Sequence, residues 1–324
     1  MSRSLHPATP TVPVAPRSGP LPELQARSHV ADRVLQTLTA VATVIILLML
    51  TVVVVDVIHG GAQVLSWSFI SEYPRKGMTE GGIFPAIVGT VALTLLMTVA
   101  AVPAGVATAV YLTEYASSRS VVARLVRVCI ANLAGIPSIV FGLFGLGFFI
   151  ATIGKGVDRV AFGGRVTYGQ PCLVWASLTL AILTLPVVVV STEEALRAVP
   201  RELRDASLAL GATQFQTIVR VVLPEAFSGI LTGGILAVSR GAGEVAPIMF
   251  TGAAYFLRDL PTHLNDQFMN LGYHVYVLAT QSPDVDRTKP LLYGTVLVLL
   301  VLTFLLNLVA ISLRSRARRR VQAV

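Results

Sequence analysis

Charge is scarce in this sequence. Only 13% of its 324 residues are Asp, Glu, Lys or Arg, while 54% are apolar, against about 25% charged residues in a soluble globular domain. That excludes a water-soluble fold, and the apolar residues come in runs near or above the ~20 needed to cross a hydrocarbon core as helix. Cysteine is almost absent. Cys129 and Cys172 sit in or beside apolar runs without CxxC or Cys/His spacing, which argues against a zinc site or a disulfide framework and leaves both as small core residues. Histidine forms no metal cluster with Asp or Glu inside the runs, since His59, His263 and His274 fall in loops or interfacial stretches, and an intramembrane metalloenzyme is not indicated. A G-x4-G-K-[ST] loop is missing too, so the chain has no recognisable ATP site. The net charge of +8 comes without aromatics interleaved among the basic residues. Those residues flank apolar runs, which suits orientation in a bilayer better than nucleic-acid binding.

What is present is six apolar runs, over about 37–58, 83–112, 125–153, 172–191, 226–250 and 290–313. They predict an all-α fold, a polytopic membrane helix bundle of six transmembrane helices in one domain over residues 34–313. Residues 1–33, rich in Pro, Ser and Thr, read as a disordered tail, and 314–324 as a basic tail. The first run is too long and too far from the start for a cleaved signal and reads as an anchor. Trp67, Phe69 and Tyr73 suit an interfacial segment after it. Pro103 is expected to kink the second run against its neighbours. Gly135, Gly142, Gly145 and Gly147 predict a third span buried in the bundle, where small residues allow close helix approach.

With the amino terminus inside, the arginines of both tails, of 119–127 and of 197–220 fall on one side. They outnumber the basic residues on the other roughly two to one, and the positive-inside rule then places both termini in the cytoplasm.

Between the fourth and fifth runs lies a polar stretch, Glu193 to Pro224. Acidic and basic side chains interleave, and Ala195, Leu196, Val199, Leu203, Ala206 and Leu210 recur at three- and four-residue steps, the pattern of an amphipathic helix at the membrane surface. Gly211 suits the residue after a helix end, Ala212 to Val222 can restart as helix, and Pro224 marks the start of the fifth span. The result is a cytoplasmic two-helix elbow. In the fifth run, Arg240 and Glu244 are spaced to share a helical face and pair, and charge inside a bilayer marks a pathway or partner by default. Gly229, Gly233, Ala237 and Gly241 form a small-residue row on the same helix, typical of close packing.

The elbow resembles the cytoplasmic loop of ABC-importer permeases, whose pattern is E-A-A-x3-G-x9-I-x-L-P. Asp205, Ala206, Ser207, Gly211, Val221, Leu223 and Pro224 match its spacing, with Asp for Glu, Ser for Ala and Val for Ile as departures. The run Ser239 to Tyr255 is similar to a helix of PstA-type phosphate permeases, which carry an Arg followed by G-E-T-A-P; Val245 stands for the Thr. Gly81–Thr90, Ala104–Ala116 and Gly135–Gly147 are similar to that family as well.

The resemblance implies a type I ABC importer permease fold in a bacterial inner membrane. Residues 192–225 would be the coupling loop, and the helix over about Arg201–Leu210 would dock into a groove on a separate ATPase subunit. Arg240 and Glu244 would line the path of phosphate. It also implies a second homologous permease (PstC-type), an ATPase dimer (PstB-type) holding ATP and Mg, an extracytoplasmic phosphate-binding protein, and no cofactor in this chain. A permease for sulfate or molybdate is the nearest alternative. An ion-coupled secondary transporter using Glu244 is another, although it leaves the loop motif unexplained.

Overall fold

The computed structural model describes residues 22–75, 80–117, 119–282 and 285–321. Over these the chain is helical apart from connections, one isolated bridge and a two-residue ribbon pairing Pro74–Arg75 with Glu80–Gly81. The helices are α1 (Pro22–Ala62), α2 (Trp67–Ser71), α3 (Phe84–Tyr115), α4 (Val121–Gly135), α5 (Ser138–Ala161), α6 (Leu173–Ala198), α7 (Arg201–Ala209), α8 (Gln214–Ala242), α9 (Ala246–Thr251), α10 (Leu271–Thr280) and α11 (Val285–Val321). Helices α1, α3, α5, α6, α8 and α11 carry the 6 segments long and apolar enough to cross a membrane. The chain is a multi-pass membrane protein.

Among the described residues, those from 22 to 56 form a unit of their own. Its helix starts at Pro22, so residues 22–33 are helical rather than tail; Glu23, Leu24, Gln25 and Ala26 are strong helix formers, and Pro suits a first helical position. The rest of the expected tail, residues 1–21, lies outside the described residues. At the other end, α11 stays helical through the arginine-rich segment to Val321.

In the second unit, α3 and α8 both pack along α6. Small residues set their separation. A Cβ added at Gly105 would meet Val188, one at Gly229 would meet Ala195, and one at Gly233 would meet the Ser191 side chain, while Gly241 lies against Met97 of α3. Ala237 is fully buried in the same row. In lipid no hydrophobic force draws helices together, so such close backbone approach is what holds them.

Proline accounts for one departure from the expected spans. Pro137 lacks an N–H and disfavours helical torsions at Ile136, so the third run divides into α4 and the membrane-length α5. Its burial is also less than predicted. Gly142 and Gly145 pack against Pro247, Phe250, Thr179 and Thr251, but Gly135 and Gly147 face open space. Pro103 lies on the exposed side of α3 rather than against neighbours, and Cys129 is exposed on α4 whereas Cys172 is buried.

His274, expected in a loop or interface, is instead 5% exposed on α10, outside the six spans. Burial pulls its imidazole pKa down to about 4, below the ~6.5 of an unfolded chain. Its stabilising contribution is complete above pH ~6.5 and is lost as pH falls toward 4, because the unfolded state takes up the proton first. The thermal midpoint of the detergent-purified protein should therefore drop over that window by an amount equivalent to a few kcal/mol (order of magnitude). His274→Leu should flatten the profile; an unchanged slope in that variant would contradict the assignment.

Candidate coupling elbow and charged pathway

The elbow is built by its own local chemistry. Pro200 precedes α7, and Leu210 ends it. Gly211 then adopts φ +84°, its N–H bonding to Leu208 O at 3.0 Å and that of Ala212 to Ser207 O at 3.2 Å. This pair of bonds is the Schellman closure, which needs a left-handed residue at Gly211. Nothing lies within 4 Å of a Cβ built there, so the requirement for glycine is torsional and not one of space. Thr213 starts α8 with a capping box, its Oγ1 accepting from Gln216 N while Gln216 Oε1 accepts from Thr213 N.

From there α8 is continuous. The turn Ile218–Val222 is wide, with Leu223 N–H bonding back to Ile218 O, and Pro224 follows one residue later. Proline has no N–H and crowds the carbonyl four residues back, and a single π turn accommodates this without a break. Pro224 therefore does not divide elbow from span as expected. Gln214–Ala242 is one rod, roughly 40 Å at 1.5 Å per residue.

Asp205 and Ala206 are exposed on α7, and Ser207 is half-buried with its hydroxyl 2.9 Å from that of Thr217. Val221 and Leu223 are half-buried and Pro224 is exposed. The apolar stripe divides: Leu196 and Val199 are in the core, but Leu203, Leu208 and Leu210 are exposed, Leu210 at 90%, together with Phe215. The elbow thus presents an apolar surface that the described residues do not cover.

Arg240 and Glu244 are brought together, but differently from the predicted single helical face. α8 stops at Ala242, residues 243–245 are unwound and α9 resumes at Ala246, so Glu244 stands beyond the helix end. Arg240 Nε lies 3.9 Å from Glu244 Oε1, a loose pair with side chains 42% and 22% exposed. The guanidinium sits in the last turn, where the helix dipole and free carbonyls favour positive charge. Beside it, Ser239 Oγ donates to Asn307 Oδ1 of α11 at 2.7 Å.

Several charged residues outside the loop motif also converge on the elbow. Arg204, next to Asp205, pairs with Glu114 at the end of α3, 2.9 Å between Nη2 and Oε1. Gln214 Nε2 donates to Glu114 O at 2.6 Å. Glu193 is shared by Arg197 (2.7 Å) and Arg127 (3.7 Å), and Arg127 Nη2 also donates to Leu112 O. Only the adjacency of Arg204 to the loop motif and the run holding Glu114 hinted at them. Among the described residues no group of three His, Cys, Asp or Glu could hold a metal ion.

Residues 101–323 match the model of the family described as binding-protein-dependent transport system inner membrane component. The chain is 36% identical over 241 residues to phosphate transport system permease protein PstA 1 of Mycobacterium tuberculosis (strain CDC 1551 / Oshkosh), covering 74% of this chain and 73% of that one. It is 34% identical over 295 residues to PstA of Mycobacterium leprae (strain TN), covering 91% and 90%. Among solved structures, a chain of a bacterial alginate ABC transporter superposes with a TM-score of 0.64 at 14% identity, over 88% of this chain and 94% of that one. A chain of the inward-facing MetNI methionine ABC transporter gives 0.52 at 18% identity, over 72% and 94%. At these identities the structural likeness speaks to the fold: that of ABC-importer membrane subunits.

Proposed function

The chain belongs to the family of binding-protein-dependent transport system inner-membrane components, and from that premise we propose that it is the PstA-type permease subunit of an ATP-driven importer of inorganic phosphate. It would work by alternating access in a bacterial inner membrane, with both termini and the elbow in the cytoplasm. The observation that carries this is the single rod of α8. The second half of the loop motif, Val221, Leu223 and Pro224, and Arg240 in the last turn belong to one continuous helix, so a push at one end is felt at the other.

The remaining parts of the assembly are outside this chain. A second, PstC-type permease would complete the pathway, and a PstB-type ATPase dimer holding ATP and Mg would dock on the exposed Leu203, Leu208, Leu210 and Phe215. An extracytoplasmic phosphate-binding protein would deliver the anion. No catalysis and no cofactor are assigned to the permease itself. Arg240 suits phosphate because its planar fork of charged donors matches two oxyanion oxygens. Glu244, loosely held, is the counter-charge in the empty pathway. The unwound backbone at 243–245 fits the same role, since non-helical backbone at membrane depth persists where it is enclosed by protein or lines a water-filled cavity.

Selectivity tests the assignment. Labelled phosphate uptake by cells expressing the full complex should be competed by phosphate or arsenate and not by sulfate or molybdate at about 100-fold excess. Competition by sulfate or molybdate at equimolar concentration would move the chain to another oxyanion class.

A further inference from the structure

We propose that Arg204 and Glu114 form a second transmission point of the elbow, a latch that passes movement of α7 to the ends of the second and fourth spans. This deepens the importer function above and rests on it. Arg204 lies one residue before Asp205, yet it points the other way: on α7 only Arg204 and Ser207 are not exposed. Its side chain is 18% exposed and that of Glu114 10%.

The guanidinium places its donors on two elements at once, the end of α3 and the end of α6. Nε and Nη2 reach the two oxygens of Glu114 at 3.4 and 2.9 Å, Nη2 also donates to Leu196 O at 2.8 Å, and Nη1 donates to Val199 O at 2.6 Å. Leu196 and Val199 lie at the C-terminal end of α6, where the helix runs out of donors for its last carbonyls and Leu196 O otherwise accepts only the cap N–H of Val199 at 3.3 Å. Arg204 therefore caps the fourth span while holding the end of the second. The other arm of the elbow closes on the same residue, because Gln214 at the foot of α8 donates to the backbone oxygen of Glu114. Both arms are thus fixed to a point ninety and one hundred residues upstream, and to each other through Ser207 and Thr217.

The mechanical consequence differs from that of a rod alone. If the elbow touched the bundle only through α8, a displaced docking helix could swivel at Gly211 and dissipate the movement. With Arg204 in place, α7 cannot move without the ends of α3 and α6, so three of the spans rearrange together. Arg204 is a positioning residue. Its donors go to Glu114 and to the carbonyls that end α6, and a planar fork is needed because the ammonium of Lys cannot meet acceptors on both elements in a fixed geometry.

The test is phosphate moved per ATP hydrolysed by the complete complex in proteoliposomes. Arg204→Ala and Glu114→Gln should assemble and hydrolyse ATP while transport per ATP falls by about tenfold or more, the scale expected when one partner of a nearly buried pair is removed. Arg204→Lys should lie between them and wild type. Transport that falls while hydrolysis by the assembled complex persists is the readout that a merely structural role would not give. Should Arg204→Ala fail to assemble, Glu114→Gln, which keeps the side chain's shape, and Gln214→Ala carry the same expectation. Variants that assemble and keep wild-type transport per ATP, or lose uptake and hydrolysis in equal proportion, overturn the latch. A wild-type complex that moves no phosphate would instead count against the importer function itself.

Discussion

Arg240→Ala is expected to abolish phosphate uptake while leaving the complex assembled. The side chain is 42% exposed in this chain and its ion pair with Glu244 spans 3.9 Å, so little packing is lost with it. The helix beneath it is held by other contacts, including Gly241 against Met97 and Ser239 on Asn307. What disappears is the fork of charged donors beside Glu244 that we propose meets the anion. Each hydrogen bond from a charged group contributes about 1.5–3 kcal/mol, so losing two lowers transport by about 100-fold or more. Arg240→Lys keeps the charge but not the fork and should retain a small fraction of the activity. Labelled phosphate uptake, normalised to purified complex, decides it: normal uptake in Arg240→Ala would remove this residue from the pathway.

Gly211→Val is the second large effect, and its origin is different. At φ +84° an L-residue pays roughly 1–2 kcal/mol, and more with a β-branched side chain. The chain can bear that strain or unwind the last turn of α7 and give up the two bonds at Leu208 and Ser207. Since a Cβ meets no neighbour there, the bundle itself is untouched. Assembly and basal ATP hydrolysis should survive, with uptake reduced about tenfold. Gly211→Asn is the control, because Asn tolerates left-handed torsions, and it should stay close to wild type. Full transport-coupled hydrolysis in Gly211→Val would show that the elbow is not the coupling element.

Much of this was legible from residue type and spacing. Six apolar runs became six membrane-length helices, since span length is fixed by bilayer thickness and needs no tertiary information. Gly211 was placed correctly because a left-handed helix end selects glycine locally, and the small-residue row from Gly229 to Gly241 because four-residue steps share a face. Boundaries governed by proline were harder. Pro137 split a run that hydropathy treats as continuous, whereas Pro224 split nothing, because a wide turn before it took up the distortion. The break after Ala242 left no hydropathy signal and moved Glu244 off the helix that carries Arg240. The Arg204–Glu114 pair was beyond reach, since sequence records charges but not which of them, ninety residues apart, the fold brings together.

We propose that closure of an ATPase outside this chain drives an anion past Arg240. The most direct test is accumulation of labelled phosphate in proteoliposomes containing the complete complex and the binding protein, with ATP supplied on the elbow side and all ion gradients collapsed by ionophores. Accumulation should be undiminished, and should stop when ATP is withheld or cannot be hydrolysed. Accumulation that ignores ATP and disappears with the ion gradient would contradict it and make Glu244 the coupling carboxylate of a secondary transporter.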